Sequence, residues 1–311
     1  MIYQTGKTEF YTEGPSAVSI GKFDGLHRGH QKLIGRLLEQ KKKGLQTVIF
    51  TFEKNPTRLL SGLSGKNILT NEERRRMLEE AGIDRLLECP FVPEISHMEP
   101  EDFVEEILVR QMKAAYVAVG RDCGFGYQRR GDSKMLVSLG EEYGFLTEII
   151  PKEQSHGQDI SSSYIREALH EGNIPLANEL LGYPYFVSGE VLHGRQIGRT
   201  LGLPTTNLLP APEKLLPPNG VYLTRTVLDE GEYCGITNVG YKPTVGGETR
   251  KGVETYLFDY SGNLYGRFLK VEFLEFRRPE RKFGSLDELK SQILSDVHWG
   301  KNVLINQKSK A

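Results

Sequence analysis

Two histidines and three glycines lie close together in residues 21–30, whose sequence is GKFDGLHRGH. The segment follows a short apolar stretch and opens an amphipathic pattern that predicts a helix. Gly21 and Gly25 let the chain turn tightly and approach a ligand closely. His27 and His30 lie three positions apart, on one face of the predicted helix at its N-terminus, where unpaired N–H groups and the helix dipole attract anions. The segment therefore predicts a phosphate site, and imidazoles that donate hydrogen bonds to developing negative charge fit nucleotidyl transfer.

A second segment, residues 160–166 (ISSSYIR), places hydroxyl groups and an arginine at the start of another predicted helix. Ser162, Ser163 and Arg166 are residue types that hold phosphate oxygens. Taken alone, the segment is more typical of a serine helix cap. Asp24 in the first segment has two interpretations as well, because it can cap backbone N–H groups or orient the water shell of a metal ion.

Together the two segments resemble the paired HxGH and ISSTxIR signatures of the nucleotidyltransferase superfamily, specifically of the bacterial FAD synthetases. Related adenylyltransferases tend to have proline after the Phe-Asp pair, whereas this chain has Gly25, which favours the flavin branch. The chain has neither a P-loop nor a G-x-G-x-x-G dinucleotide motif. The resemblance implies that the phosphate of FMN attacks the α-phosphorus of ATP and releases pyrophosphate without a covalent enzyme intermediate.

The resemblance also implies roles for individual residues. His27 and His30 are expected to stabilise the negative charge that develops as the bond to pyrophosphate lengthens. Mg²⁺ is expected to bridge the phosphates. The residues expected to bind ATP in this half are Gly21, Phe23, Asp24, Gly25, Ser162, Ser163 and Arg166.

Two loops depart from the family pattern. The usual FEPHP is FEKNP at residues 52–56, and the usual GxDFRFG is GRDCGFG at residues 120–126. Both loops are expected to face the flavin, so the changes concern placement of the isoalloxazine ring more than ATP binding. Asn55, Asp122 and Phe125 are the flavin-binding candidates.

The second half contains residues 194–207, GRQIGRTLGLPTTN, whose glycines and arginines can wrap a triphosphate. A glycine-rich turn of a barrel is the alternative. With PNGVY at 218–222 and NVGYKPT at 238–244, the segment resembles the riboflavin kinase signature. Thr205 and Asn207 lie two positions apart, so their oxygens share one face of an extended segment and can bind Mg²⁺. The further ATP-binding candidates are Gly194, Gly198 and Arg199, together with Thr205 and Asn207.

Glu254 is the one acidic residue in the alternating segment 253–258. Alternation alone places it on the polar, solvated face of a strand. The riboflavin kinases have their catalytic base at this position, so the resemblance implies that Glu254 accepts the proton of a ribityl hydroxyl as that hydroxyl attacks the γ-phosphate of ATP.

Apolar runs alternate with helical patterns as far as about residue 181, which predicts a parallel sheet with crossover helices. The predicted strands are 17–20, 47–52, 85–89, 116–120 and 145–150. Thr70 with Glu73 predicts a capping box, and Pro100 suits a first helical turn. Extended segments then follow, and the chain ends in one amphipathic helix with a capping box at Ser285 and Glu288. The predicted fold is an α/β nucleotidyltransferase domain with a Rossmann-like parallel sheet, followed by a small antiparallel β-barrel riboflavin kinase domain with a C-terminal helix. The predicted boundaries are 1–183 and 184–311.

The chain has 311 residues with a formal net charge of −1, which gives no overall field for binding nucleic acid. Three separated cysteines, without a targeting or membrane-spanning run, predict reduced thiols in a cytoplasmic protein. The expected ligands are riboflavin, FMN, FAD and ATP, and the expected state is a monomer or a weak homo-oligomer.

The sequence thus predicts a bifunctional flavin enzyme that phosphorylates riboflavin and then adenylylates FMN. Two alternatives remain at this stage. One keeps only one of the two activities, with the altered flavin loops marking a degraded adenylyltransferase half. The other is a flavin-sensing binding protein that has lost its chemistry.

Overall fold

The computed structural model describes residues 1–54, 65–193, 202–243 and 249–308. The chain folds into two compact units, Met1–Ser162 and Ser163–Ala311. The domain boundary placed between residues 183 and 184 from the sequence stays a prediction.

The first unit is built on a six-stranded parallel sheet with the strand order β1-β4-β3-β2-β5-β8, and it also carries two short hairpins, β6-β7 and β9-β10. Its strands in chain order are β1 (Ile2–Thr5), β2 (Ser16–Ile20), β3 (Gln46–Phe52), β4 (Arg85–Cys89), β5 (Ala114–Gly120), β6 (Gly124–Phe125), β7 (Gly131–Asp132), β8 (Leu146–Ile150), β9 (Gln154–Ser155) and β10 (Gln158–Asp159).

Helices connect these strands. They are α1 (Arg28–Lys41), α2 (Asn71–Glu80), α3 (Pro93–Ser96), α4 (Pro100–Asp102), which continues as a π-helix (Phe103–Gln111), and α5 (Ser133–Tyr143), with a 3₁₀ turn at Tyr127–Arg129. The predicted helix starts are confirmed. Thr70 and Glu73 form a reciprocal capping box before α2, and Pro100 lies in the first turn of α4, where no N–H bond is needed.

The Rossmann-like parallel sheet is confirmed. The five strands expected from apolar runs lie within two residues of their predicted bounds, and β2 and β4 are buried along their whole length, as inner strands of such a sheet must be. Strand β1 was not predicted from the sequence. That strand has only four residues, two of them polar, at the edge of the sheet, where apolar periodicity is weak.

A buried charge cluster ties β1, β4 and α2 together. The Glu88 side chain on β4 is fully buried and pairs with Arg74 and with Arg75, the latter at 2.8 Å. The Tyr3 hydroxyl donates to the same carboxylate at 2.6 Å. Burial raises the pKa of Glu88, but Arg74, the Tyr3 hydroxyl and Arg75 together outweigh burial and hold that pKa below its usual value. The carboxylate is therefore ionised in the folded protein.

The second unit is a closed antiparallel barrel with the order β11-β12-β15-β14-β13-β16, as predicted. Its strands are β11 (Phe186–Leu192), β12 (Thr205–Leu208), β13 (Gly220–Leu228), β14 (Gly231–Pro243), β15 (Thr249–Leu257) and β16 (Phe268–Pro279). The remaining helices in the described ranges are α6 (Ser162–His170), α7 (Ile174–Leu181) and α8 (Leu286–Lys308). The C-terminal helix is confirmed as α8.

Helix α8 packs on the outer face of the barrel. Val297, Trp299 and Val303 lie against an apolar cluster that includes Leu223 and Ile236. Asp296 is 1% exposed and pairs with Arg278 on β16. One half of the predicted capping box is present, because Ser285 Oγ accepts from the Glu288 N–H at 3.1 Å. The other half differs, because the Glu288 carboxylate accepts from the Gly284 N–H and not from the Ser285 N–H.

None of the helices in the four described ranges is both long and apolar enough to cross a bilayer.

We expect Glu88→Ala to destabilise the first unit by about 3–5 kcal/mol, because it leaves the Arg74 guanidinium buried without its counter-charge. Native-state hydrogen exchange of the β3 and β4 amides measures this loss. Glu72→Ala is the matched control, because Glu72 makes only an exposed bridge to Arg76 on α2. A loss below about 1 kcal/mol for Glu88→Ala would show that the cluster contributes little.

Candidate functional site

The turn after β2 runs through left-handed backbone conformations. Phe23, Gly25 and Leu26 have φ values of 47°, 88° and 39°. Glycine adopts such a φ without strain, whereas each non-glycine residue there costs roughly 1–3 kcal/mol. Phe23 and Leu26 are 0% and 2% exposed, so burial of their side chains holds the strained turn in place. A Cβ at Gly21 would lie 3.2 Å from the Phe23 ring, which explains a small residue there.

The turn places His27 at the N-cap position of α1. His27 and His30 stack with their ring centroids 3.8 Å apart, and Phe23 lies against His30 at 5.1 Å. Gly29 leaves room for this arrangement, since a Cβ there would lie 3.2 Å from the His27 ring. Both Nδ1 atoms are buried and, within the described parts of the chain, have no hydrogen-bond partner. The sequence prediction that the two imidazoles share a face is confirmed.

Burial keeps both imidazoles neutral at pH 7. It lowers the pKa of His27 to about 4, against a smaller opposing effect of Asp122. Burial lowers the pKa of His30 well below its usual value, and neighbouring His27 lowers it further. A neutral imidazole has one N–H donor and one acceptor nitrogen. The pair can thus donate hydrogen bonds to an oxyanion at the N-terminus of α1, where the helix dipole also favours negative charge.

Asp24 and Ser162 join the two sequence motifs of the first half. The Asp24 carboxylate accepts from the N–H groups of Ile68 and Leu69 at 2.9 and 3.3 Å. Ser162 Oγ donates to the backbone carbonyl of Asp24 at 2.8 Å. Asp24 therefore has the backbone-capping role that the sequence left open, and Ser162 is hydrogen-bonded to the turn.

The other candidates of the first half occupy different surroundings. Asp122 is exposed and lies 3.3 Å from Lys152 Nζ. Phe125 is 6% exposed and packs on Phe103 in the core of the unit, with ring centroids 5.8 Å apart. Ser163 is exposed and Arg166 half-buried, both on α6. Their ligand roles stay predictions, and Asn55 lies outside the described residues.

An ion-pair group beside the histidines was not predicted from the sequence. Glu153, which follows β8, pairs with Arg28 and with Lys32, the latter at 3.1 Å. Arg28 and Lys32 are four residues apart on α1, so both reach the same carboxylate from one helix face. The spacing of Arg28 and Lys32 is visible in the sequence and indicates a basic helix face. Their acidic partner could not be identified from the sequence, because the pairing depends on the tertiary fold.

The second candidate site lies on the outer face of the barrel. Strand β12 pairs with β15 so that Asn207 is opposite Glu254 and Thr205 is opposite Tyr256. Thr205 Oγ1 donates to Glu254 Oε1 at 2.7 Å. Thr205, Asn207 and Glu254 therefore share one face, as the sequence predicted for the first two. The alternation from Val253 to Leu257 also holds, since 253, 255 and 257 are buried and 254 and 256 are partly exposed.

A cavity of about 200 Å³ adjoins this face. Its lining includes Thr205 and Asn207, together with Tyr260, Asn263 and Tyr265 from the segment between β15 and β16. This volume is smaller than that of typical ligand sites. Gly194, Gly198 and Arg199, the remaining ATP-binding candidates, lie outside the described residues, as does Thr244.

The oxygens of this face suit a hard cation. Thr205 and Asn207 offer a hydroxyl and an amide oxygen, and Mg²⁺ prefers oxygen ligands, takes few of them from protein and keeps others from water and phosphate. In the described ranges no group of three or more histidine, cysteine, aspartate or glutamate side chains could hold a metal ion. The donor set thus fits a magnesium ion that arrives with a phosphate ligand.

Comparison with known proteins matches the two halves to two families. The FAD synthetase family matches residues 11–164, and the riboflavin kinase family matches residues 181–304. The bifunctional riboflavin kinase/FMN adenylyltransferase of Escherichia coli K12 is 38% identical over 90% of this chain and 90% of its own length. The protein of the same name from Bacillus subtilis is 33% identical over 91% of each chain.

Among solved structures, a crystal structure from Streptococcus pneumoniae described as a macrolide-efflux protein superimposes with a TM-score of 0.86. It is 29% identical, and the match covers 97% of this chain and 99% of that one. The two chains therefore share their fold over nearly their whole length.

The neutral histidines predict a loss of stability in mild acid. The unfolded chain binds a proton near pH 6.5 at each histidine, whereas folded His27 binds it only near pH 4, so stability present above pH 6.5 is lost as the pH falls. We expect His27 alone to cost the first unit about 2 kcal/mol between pH 6.5 and pH 4.5, measured by hydrogen exchange of the β2 and β3 amides. His27→Gln should remove that part of the pH dependence, and His170→Gln, at an exposed helix end, should not. An unchanged pH dependence in His27→Gln would contradict the neutral buried imidazole.

Proposed function

The chain belongs to the family of bifunctional riboflavin kinases/FMN adenylyltransferases, and from that premise we propose that each of its two compact units carries the groups of one ATP-dependent reaction. The protein phosphorylates riboflavin with ATP to FMN, and it adenylylates FMN with a second ATP to FAD and pyrophosphate. We assign the first reaction to the barrel face around Glu254, and the second to the α1 N-terminus around His27 and His30.

One observation carries this assignment: in each half, motif residues far apart in the chain meet in the fold. Ser162 reaches Asp24 across 138 positions, and Thr205 reaches Glu254 across 49. Neither contact follows from local secondary structure. Each brings together residue types that recognise phosphate or move a proton.

In the adenylylation step, a phosphate oxygen of FMN forms a bond to the α-phosphorus of ATP while the bond from that phosphorus to the pyrophosphate oxygen breaks. No protein atom becomes covalently attached, so positioning and charge stabilisation supply the catalysis. Neutral His27 and His30 donate hydrogen bonds to the oxygens that gain charge, and the N–H groups at the start of α1 add to this field. Ser162 is assigned to a further phosphate oxygen on the basis of its motif, and the roles of Ser163 and Arg166 stay predictions from the sequence.

In the kinase step, the Glu254 carboxylate accepts the proton of the ribityl hydroxyl as that oxygen bonds to the γ-phosphorus of ATP, and ADP leaves. The Thr205 hydroxyl donates to Oε1 of Glu254 and so helps to fix the carboxylate. Thr205 and Asn207 would hold Mg²⁺, which neutralises phosphate charge when bound.

The flavin and the cellular setting complete the proposal. Asp122, Phe125 and Asn55 remain the candidates for contacts to FMN. We place the protein in the cytoplasm, where its three free cysteines stay reduced. Burial raises the pKa of Cys89 and of Cys123 to about 12, so neither thiol is a ready nucleophile.

His30→Ala should stop the reaction sequence at FMN. The change removes one of the two stacked imidazoles and a donor to the developing charge, so we expect FAD formation to fall by roughly 10²–10³-fold. Chromatography of the products formed from riboflavin, ATP and Mg²⁺ measures FMN and FAD separately. His170→Ala serves as the control, and undiminished FAD formation in His30→Ala would refute the role of the imidazole.

Glu254→Gln should block formation of FMN while leaving added FMN convertible to FAD. Glutamine keeps the shape and can still accept from Thr205, but it cannot take up the ribityl proton, so a loss of roughly 10²–10⁴-fold is expected. Supplying riboflavin to one sample and FMN to another separates the two steps. Equal losses in both samples would argue against separate sites.

A further inference from the structure

We propose that Glu280 is a positioning residue of the kinase site, which fixes the amide of Asn238 beside the base Glu254; this inference rests on the proposed function. Glu280 follows β16 directly, and its carboxylate accepts two hydrogen bonds. Asn238 Nδ2 donates to Oε1 at 3.0 Å, and Asn219 Nδ2 donates to Oε2 at 3.0 Å. One carboxylate thus bridges two asparagines that are 19 residues apart in the chain.

The strand register explains why these three residues meet. On β13, Gly220 is opposite Pro279 of β16 and also opposite Val239 of β14. Asn219 precedes Gly220, Glu280 follows Pro279 and Asn238 precedes Val239. They therefore gather at one end of the barrel, where β13, β14 and β16 come together.

A glycine makes the space for this carboxylate. A Cβ at Gly240 would lie 2.0 Å from Glu280 Oε1 and 2.7 Å from its carboxyl carbon, so any larger residue would displace the group. A Cβ at Gly220 would lie 2.5 Å from the Arg278 carbonyl oxygen, so this glycine lets β13 and β16 approach closely. Both glycines belong to the PNGVY and NVGYKPT segments. Gly240 accommodates Glu280 itself, and Gly220 allows the close approach of β13 to β16.

Asn238 connects Glu280 to the chemistry. It is directly opposite Glu254 in the pairing of β14 with β15, while Asn207 is opposite Glu254 on the other side. Directly opposed side chains on one face of an antiparallel pair have Cβ atoms about 4.5–5.5 Å apart. The base is therefore flanked by an asparagine on each neighbouring strand. The amide of Asn238 can turn either its oxygen or its nitrogen toward Glu254, and its bond to Glu280 selects one orientation.

That orientation matters for the base. With one N–H of its Nδ2 held by Glu280, the Asn238 amide keeps one orientation beside the Glu254 carboxylate, so the group next to the base stays in place while the ribityl hydroxyl approaches. Glu280 is exposed, so its two hydrogen bonds contribute little to stability. Control of the amide orientation is the function that its position serves.

The test measures kcat and KM of riboflavin phosphorylation in Glu280→Gln. The glutamine amide can accept from only one of the two asparagines and presents a donor to the other. We expect kcat to fall about tenfold, with KM for ATP and riboflavin changed by less than about twofold, because positioning acts on the chemical step. Conversion of added FMN to FAD by the same variant should be unchanged. Glu280→Asp, which keeps the charge, should recover part of the rate.

A double-mutant cycle separates positioning from a general structural effect. If Glu280 acts through Asn238, then Glu280→Gln added to Asn238→Ala should cause no further loss of kcat. Glu288→Gln is the matched control, an exposed glutamate of the next segment that binds a backbone N–H and should leave kcat unchanged. Additive losses, or a wild-type kcat in Glu280→Gln, would overturn the inference. A wild-type protein that forms no FMN would instead refute the proposed function itself.

Discussion

The turn between β2 and α1 is the constraint on which the first unit's site depends. It must change the chain direction sharply and still aim the start of a helix at a ligand, and it does so through left-handed conformations at Phe23, Gly25 and Leu26. Such backbone is unfavourable for non-glycine residues, and the buried side chains of Phe23 and Leu26 offset the cost. The same packing desolvates His27 and His30. The fold thus prepares neutral donors before any phosphate arrives, and no reorganisation is needed when charge develops.

The barrel reaches a similar result with strand register in place of a strained turn. Pairing of β12 with β15 places Thr205 and Asn207 beside Glu254, and pairing of β15 with β14 places Asn238 on the other side. A shift of one residue in either pairing would turn these side chains to the opposite face of the sheet. Closure of the barrel and the packing of α8 on its outer face hold this register.

Much of this could be predicted from the sequence, for physical reasons that also explain what was missed. Strands β2 to β5 and β8 have apolar runs, and the caps at Thr70 and Ser285 are local signals. Strand β1 is short and partly polar, so only its pairing with β4 reveals it.

For the sites, motif spacing identified the histidines and the Thr205–Asn207 pair, because two residues on one local element share a face by geometry alone. The pairing of Glu153 with α1, the capping role of Asp24 and the bridge from Glu280 to Asn219 and Asn238 are long-range contacts. No local pattern specifies which acidic residue meets which partner. The resemblance to known families likewise pointed to residues that touch substrate, but not to those that orient them.

We infer that two independent sites share one chain, and that FMN is the product of one site and the substrate of the other. A mixing experiment tests this directly. Two variants that each lack one activity, His30→Ala and Glu254→Gln, are combined with riboflavin, ATP and Mg²⁺. We expect that neither variant alone forms FAD from riboflavin and that the mixture does, because FMN made by His30→Ala is adenylylated by Glu254→Gln. A mixture that forms FMN but no FAD, although Glu254→Gln converts added FMN, would contradict it.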